Sequence, residues 1–183
     1  SVTFGDASAL STTASFSVAG SYVLRLTADD TELLSTDDVA ITVEEEQADG
    51  QVVAAINCGG GEYTAGDGTL YSGDGNYNAG SKYSTSSAIA GTEDDKLYQS
   101  ERYYNGNLQY AIPLPNAEYE VTLKFAEVYF GADGKRIFDV KIEGSMVVDN
   151  LDIHKAVGKN AAHDVKQVVT VADGELTIVL AQQ

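Results

Sequence analysis

Hydrophobic and polar residues alternate with period two through much of this chain. In residues 21–27, Tyr22, Leu24 and Leu26 fall on one side and Val23, Arg25 and Thr27 on the other, and Val39, Ile41 and Val43 repeat the pattern. A period of two sends successive side chains to opposite faces of a strand, so these segments predict half-buried strands. Turns are expected at Asp29-Asp30-Thr31 and at Asp37-Asp38. Residues 52–56 predict a strand that runs into Cys58-Gly59-Gly60-Gly61. Pro113 and Pro115 bracket a turn, after which Tyr119, Val121, Leu123 and Phe125 share one face with Glu120, Thr122 and Lys124 opposite, and the same parity carries Glu127 and Tyr129. Residues 137–142, 145–148, 165–171 and 175–180 are further strands, punctuated by turns at Asp133-Gly134, Glu143-Gly144 and Asp173-Gly174. Residues 153–157 read as a short helical turn, and no long amphipathic helix is evident. The class is all-β, a sandwich.

Two stretches break the alternation. Residues 44–50 are acidic, end in glycine and lack an apolar anchor, which reads as a linker over residues 45–51 between a first unit, 1–44, and a second, 52–183. Residues 62–91 are rich in Gly, Ser, Asn, Asp and Tyr, and a loop of that length in a compact domain is usually functional or disordered. Its tyrosines argue against disorder, because disordered segments are poor in aromatics.

Charge and composition narrow the partners. The net charge is −17, from 11 basic and 28 acidic side chains. That argues against nucleic acid, whose binding depends on clustered Lys and Arg, and against an anionic membrane surface. It suits solubility in a salty or calcium-containing medium. No apolar run reaches the ~18 residues of a membrane span. A single cysteine, Cys58, excludes an intrachain disulfide and reads as a small buried residue. The chain opens Ser-Val-Thr without Met or a signal peptide, as an excised fragment would.

Several strings resemble the malectin family of carbohydrate-binding domains, including its bacterial carbohydrate-binding modules. They are Ile56-Asn57-Cys58-Gly59-Gly60, Asp94-Asp95-Lys96-Leu97-Tyr98-Gln99-Ser100-Glu101-Arg102-Tyr103, Lys124-Phe125-Ala126-Glu127-Val128-Tyr129-Phe130, Arg136-Ile137-Phe138-Asp139-Val140 and Asp149-Asn150-Leu151-Asp152-Ile153, in the family's order. The resemblance implies a galactose-binding-like, jelly-roll type sandwich that is not an enzyme and holds an oligosaccharide of α-glucoside type. By position the family's ligand aromatics resemble Tyr83, Tyr103, Tyr129 and Phe130, with Tyr77 as an alternative to Tyr83. A further family ligand, an Asp in a late Asp-Asn-Pro-like motif, has no counterpart before Gln183, so the domain is expected to lack its C-terminal end here. The first unit resembles the second half of a PKD-like, immunoglobulin-type domain, on Gly20-Ser21-Tyr22-Val23-Leu24-Arg25-Leu26-Thr27-Ala28 and Asp37-Asp38-Val39-Ala40-Ile41-Thr42-Val43. Such spacers imply an extracellular or cell-surface protein with neighbouring domains, one of which could be catalytic.

The residues themselves carry part of this reading. Sugars need a flat apolar face for the C–H side of the ring and hydrogen-bonding groups for the hydroxyls, and tyrosine offers both with few torsions to freeze. Tyrosines in β proteins also serve as core and cross-strand packing. Glu101-Arg102 reads as a structural ion pair, and Glu127, on an apolar face, needs either Arg102 or a loop amide. Asp139, Asp149 and Asp152 read as turn and loop anchors. No pair of acids is fixed as a glycosidase requires, and His163-Asp164 reads as a surface histidine beside an acid. Asp74-Gly75-Asn76-Tyr77-Asn78 alternates oxygen ligands as a calcium loop does, but no Glu closes it, so Asp74, Asn76 and Asn78 more simply make turns. One Cys and two His exclude a zinc site. A structural or adhesive bead, with loops contacting protein and a free sheet edge open to self-assembly, is the alternative to sugar binding.

Overall fold

A computed structural model describes residues 1–43 and 50–183, and the expected linker lies largely outside the described residues. The chain divides into two compact units, Ser1–Gln51 and Val52–Gln183. In the first, β1 (Val2–Phe4) pairs with β2 (Ala14–Phe16), and β3 (Gly20–Asp29) forms a long antiparallel hairpin with β4 (Leu34–Val43). The alternation read from residues 21–27 and 39–43 holds at Tyr22, Leu24, Ile41 and Val43, which are half-buried, but Leu26 and Val39 on the same faces are exposed; the Phe16 and Tyr22 ring centroids lie 4.8 Å apart. The expected turn at Asp37-Asp38 is absent. Those residues lie inside β4, where Asp38 faces Arg25 across the ladder at 2.8 Å. Two polar residues on a solvent-facing strand look locally like a turn. The chain reverses at the other expected turn, around residues 30–33, where Asp30 Oδ1 accepts from the amides of Glu32 and Leu33.

The second unit is an all-β sandwich. Four antiparallel strands, β10 (Leu108–Pro113), β12 (Phe138–Ile142), β13 (Ser145–Leu151) and β15 (Glu175–Gln182), lie in the order β10-β15-β12-β13. Strands β11 (Ala117–Ala126) and β14 (Ala162–Val171) form a ten-residue antiparallel pair. The two sheets meet in a core that includes Leu108, Tyr119, Val121, Ile142, Val171 and Ile178. Strand β12 lies between β15 and β13, and Phe138, Val140, Ile142 and Asp139 are all buried. Each fully buried aliphatic side chain here contributes on the order of 1.5–3 kcal/mol. Glu143 and Gly144 join β12 to β13 with φ of 51° and 72°, the left-handed pair that a two-residue hairpin requires.

Several local expectations change. Residues 52–56 are not a strand, for only Ile56–Asn57 (β5) is extended and paired. The 62–91 stretch is not one loop. It contains β6 (Tyr63–Thr64), β7 (Leu70–Gly73) and β8 (Ser81–Ser84), and β8 pairs with β9 (Ser100–Tyr103). Asp139 is not a turn anchor. From within β12 it accepts from the Asn150 amide at 2.9 Å and Gln183 Nε2 at 2.6 Å. Asp149 likewise lies within β13. Cys58 is exposed as a residue, although burial raises the pKa of its thiol, which lies beside Tyr110. The parity of β11 ends at Ala126, so Val128 turns inward and Tyr129 outward.

A short helix, α1 (Ile153–Val157), follows β13, as expected for residues 153–157. Asp152 caps it, accepting from the amides of Lys155 and Gly134. The bond from Gly134, then that from Lys155, holds the Asp152 carboxyl below its ordinary pKa. A carboxylate with a lowered folded-state pKa stabilises fully above its unfolded value, about 4. That contribution fades as pH falls through the lower, folded-state value. Asp152→Asn, which keeps a capping oxygen, is therefore expected to flatten the acid limb of the melting-temperature profile below about pH 4. An unchanged profile would refute this account of the cap.

Candidate functional site

Strand pairing places the aromatics. In the β8–β9 ladder Tyr83 faces Glu101, Ser81 faces Tyr103, and Lys82 faces Arg102. Residues directly opposite share a face, as do residues two apart on one strand. Tyr83, Glu101 and Tyr103 therefore point one way, and Lys82 and Arg102 the other. The glycine run explains how β9 is seated. Gly59 has φ 77°, and a Cβ there would lie 2.3 Å from the Glu101 carbonyl oxygen, so only glycine lets the two backbones approach. Asn57 adds a bond from its Nδ2 to the Gly61 carbonyl and accepts from the Ser100 hydroxyl.

The segment after β11 brings the remaining aromatics to the same place. Glu127 is 1% exposed. Its Oε1 accepts from the amides of Tyr129 and Phe130, both at 2.8 Å, so one carboxylate oxygen fixes the turn that carries both rings. The Asn160 amide donates to the Glu127 carbonyl, and Lys159 Nζ donates to the Tyr129 carbonyl at 2.9 Å. Tyr129 meets Tyr83 edge to face with centroids 5.2 Å apart, and Phe130 in the same way at 5.0 Å. Such contacts contribute about 0.5–1.5 kcal/mol each beyond burial. Tyr129 nevertheless stays 55% exposed and Tyr103 44%. Tyr83, Tyr129 and Phe130 thus form one contiguous set, with Tyr103 on the shared strand face beside it.

Arg136 joins the two halves. Its Nη1 and Nη2 both donate to the Glu101 carboxylate, and its Nε lies 3.4 Å from Glu127 Oε2. Its guanidinium carbon is 5.2 Å from the Phe130 ring centroid. Burial works against the charge on Arg136, yet the bonds to Glu101 and the charges of Glu101 and Glu127 raise its pKa. The expected Glu101-Arg102 ion pair does not form, because neighbours on a strand face opposite ways. Glu101 pairs with Arg136, while Arg102 pairs with Asp74. Of the two partners considered for Glu127, the loop amides serve it and Arg102 does not. Arg136 opens one of the family strings, but the sequence assigns it no site role. It lies 35 residues from Glu101, and no spacing joins the two.

Tyr77 belongs elsewhere. The Arg102 guanidinium lies 3.3 Å from the Tyr77 ring centroid, on the face of β9 away from Glu101, so the structure does not bring Tyr77 to Tyr103 or Tyr129. Asp74 lies there too, its side chain fully buried. It accepts from Arg102 Nε at 2.8 Å and from the Tyr110 hydroxyl at 3.0 Å, with Arg102 Nη2 in ion-pair contact at 2.7 Å. Burial opposes the charge on Arg102, but the bonds to Asp74 outweigh it and raise its pKa. Burial, together with Cys58 and Asp74, also raises that of Tyr110. Asn78 is likewise engaged, with the Gln109 amide and the Asn107 carbonyl, and Asn76 takes the left-handed φ of 61°. The oxygens considered for calcium at Asp74 and Asn78 thus bind protein groups. Among the described residues no cluster of three His, Cys, Asp or Glu is placed to hold a metal.

Several other tyrosines are packing residues with bonded hydroxyls. Tyr63 donates to Asp94, Tyr98 to Asp164 and Tyr119 to the Pro115 carbonyl. Burial and the bond to Asp164 push the Tyr98 hydroxyl up to about 12. A groove of about 410 Å³ lies between β12–β13 and β14, lined by Ile142, Met146, Val147, Val168 and Val169 among others. None of the aromatics considered for binding lines it, so the aromatic set, and not this groove, has the chemistry for a polar ring ligand.

The family described as the malectin domain matches residues 52–183. Malectin-A of Xenopus laevis is 37% identical over 134 residues, covering 70% of this chain and 49% of its own length. Malectin of Danio rerio is 34% identical over 134 residues, covering 70% of this chain and 47% of its own. The chain thus spans about half the length of these animal relatives. Among solved structures, a Bacteroides uniformis β-glucuronidase superposes with a TM-score of 0.65 at 19% identity, over 94% of this chain and 22% of its own. The ANXUR2 extracellular domain of Arabidopsis thaliana superposes with a TM-score of 0.61 at 18% identity, over 70% of this chain and 43% of its own. At such identities the likeness is one of fold, a malectin-like, galactose-binding-like β-sandwich.

Proposed function

Since the chain belongs to the malectin-domain family across residues 52–183, we propose that this unit is a non-catalytic module that holds an oligosaccharide of α-glucoside type on Tyr83, Tyr103, Tyr129 and Phe130. The observation that carries the reading is the Tyr83–Tyr129–Phe130 edge-to-face set, which leaves Tyr129 open to solvent on a backbone fixed by Glu127. A half-exposed, immobilised aromatic ring suits the apolar face of a pyranose, because little torsional entropy remains to be lost on binding. Both carboxylates beside the rings, Glu101 and Glu127, are engaged by Arg136 or by backbone amides, which supports a binding role over acid–base chemistry. The reading requires no cofactor.

The setting we propose is extracellular, within a larger protein. The similarity to a plant extracellular domain supports the location, and the similarity to part of a β-glucuronidase supports an accessory unit beside a catalytic domain. We further assign the first unit to an immunoglobulin-type spacer of PKD-like kind. The test is a calorimetric titration of the intact protein and its Tyr129→Ala variant with α- and β-linked glucose oligosaccharides. Binding by the wild type, weakened at least about tenfold in the variant, is the expected result. Wild-type binding that Tyr129→Ala leaves unchanged would refute the assignment of the site.

A second reading, a structural bead whose surface contacts protein, is favoured by the exposed apolar side chains of the first unit, with Leu26 71% and Val39 54% exposed. Light scattering separates the two. A strict monomer that binds sugar leaves the bead reading without support.

A further inference from the structure

The aromatic rings supply apolar contact but do not by themselves choose among sugar hydroxyls. Selection of that kind needs oriented polar groups beside the rings. Arg136 is such a group. A guanidinium carries five N–H donors in a fixed plane. One N–H of Nη1 and one of Nη2 are used on Glu101, and Nε lies 3.4 Å from Glu127 Oε2 in an ion pair. The second N–H on each of Nη1 and Nη2 has no acceptor among the described residues. The side chain is 24% exposed, so water reaches it. The plane is held from both sides of the site. Glu101 stands on β9 two residues before Tyr103, and Glu127 fixes the Tyr129 and Phe130 amides.

We propose that Arg136 is a ligand-contacting specificity residue, donating its two unassigned N–H groups to hydroxyl oxygens of the sugar that lies on Tyr129 and Phe130, with Glu101 and Glu127 as its positioning residues. The proposal rests on the carbohydrate reading of the site. Two carboxylates set the guanidinium before any ligand arrives, so its donors lose little freedom on binding. A donor site of this kind discriminates strongly, because a ligand lacking the hydroxyl leaves a desolvated N–H unpaired. Lysine at this position keeps the charge and can reach Glu101, but it lacks the planar fork.

The test is a cycle between protein and ligand. The intact protein and its Arg136→Lys variant are titrated with an α-linked glucose disaccharide and with its monodeoxy analogues, and thermal melts of both proteins are recorded. The variant is expected to bind the parent disaccharide about tenfold more weakly, as loss of a charge-assisted hydrogen bond predicts. For at least one deoxy analogue the two proteins are expected to bind alike, since the contact is already missing from the ligand. A variant that binds the parent as well as the wild type overturns the proposal. So does a variant weakened by one common factor on every analogue, because a purely structural role for Arg136 gives that result. Failure of the wild type to bind any of the sugars refutes the carbohydrate reading itself and is distinguished by that from failure of the Arg136 assignment.

Discussion

Replacement of Asp74 by alanine is expected to destabilise the second unit by about 3–5 kcal/mol, the cost of leaving a buried charge without its partner. The side chains of Arg102 and Asp74 are 4% and 0% exposed. Asp74 Oδ2 accepts from Arg102 Nε and lies 2.7 Å from Nη2 in an ion pair, while Oδ1 accepts from the Tyr110 hydroxyl. Arg102 also donates to the Gly80 carbonyl at 2.8 Å and stacks on Tyr77, so it cannot leave without unmaking those contacts. Alanine strands the guanidinium and the Tyr110 hydroxyl together. Asparagine keeps the shape and one acceptor oxygen, so Asp74→Asn is expected to lose less. Chemical denaturation of the three proteins checks the order, and an alanine variant with the wild-type midpoint would sink the account. Because this cluster lies on the face of β9 away from Glu101, sugar affinity at temperatures well below the melt is expected to persist in the asparagine variant.

Glu127→Ala is expected to abolish measurable sugar binding and to cost stability as well. Oε1 of Glu127 accepts from the Tyr129 and Phe130 amides, and Oε2 faces Arg136. Hydrogen bonds to a charged group contribute about 1.5–3 kcal/mol each, so losing two accounts for roughly 3–6 kcal/mol. The larger consequence is geometric. Without the carboxylate the turn that carries both rings keeps only the Asn160 amide bond to the Glu127 carbonyl and the Lys159 bond to the Tyr129 carbonyl, and a bound ligand must then also offset the entropy of ordering it. Glu127→Gln retains an oxygen for the two amides but turns an NH2 toward Arg136. It is expected to keep most of the stability while weakening binding. Melting curves and titrations of both variants check this, and an alanine variant that binds like the wild type would overturn the role given to Glu127.

Much of the fold is legible in the residues. The alternation of Tyr119, Val121 and Leu123 places β11, the Glu143-Gly144 pair places the hairpin between β12 and β13, and the short helix at Ile153–Val157 falls where it was read. These features are local, set by side-chain period and turn chemistry. Asp37 and Asp38 show the limit, because two polar residues look alike whether they sit in a turn or on the wet face of a strand. Residues 62–91 show another. Strands of two to four residues are too short to display a period, and their pairing with β5, β7 and β9 is decided by partners far along the chain.

The candidate site divides in the same way. The sequence by itself determined which aromatics are available, and through family motifs it picked out Tyr83, Tyr103, Tyr129 and Phe130. Only the tertiary structure decided that Tyr77 stands apart from them, that Glu101 turns to Arg136 and Arg102 to Asp74, and that Glu127 anchors the ring-bearing turn. The physical reason is that adjacent strand residues face opposite ways, so neighbours in sequence part company. Charges separated by tens of residues instead meet where burial makes an unpaired ion costly.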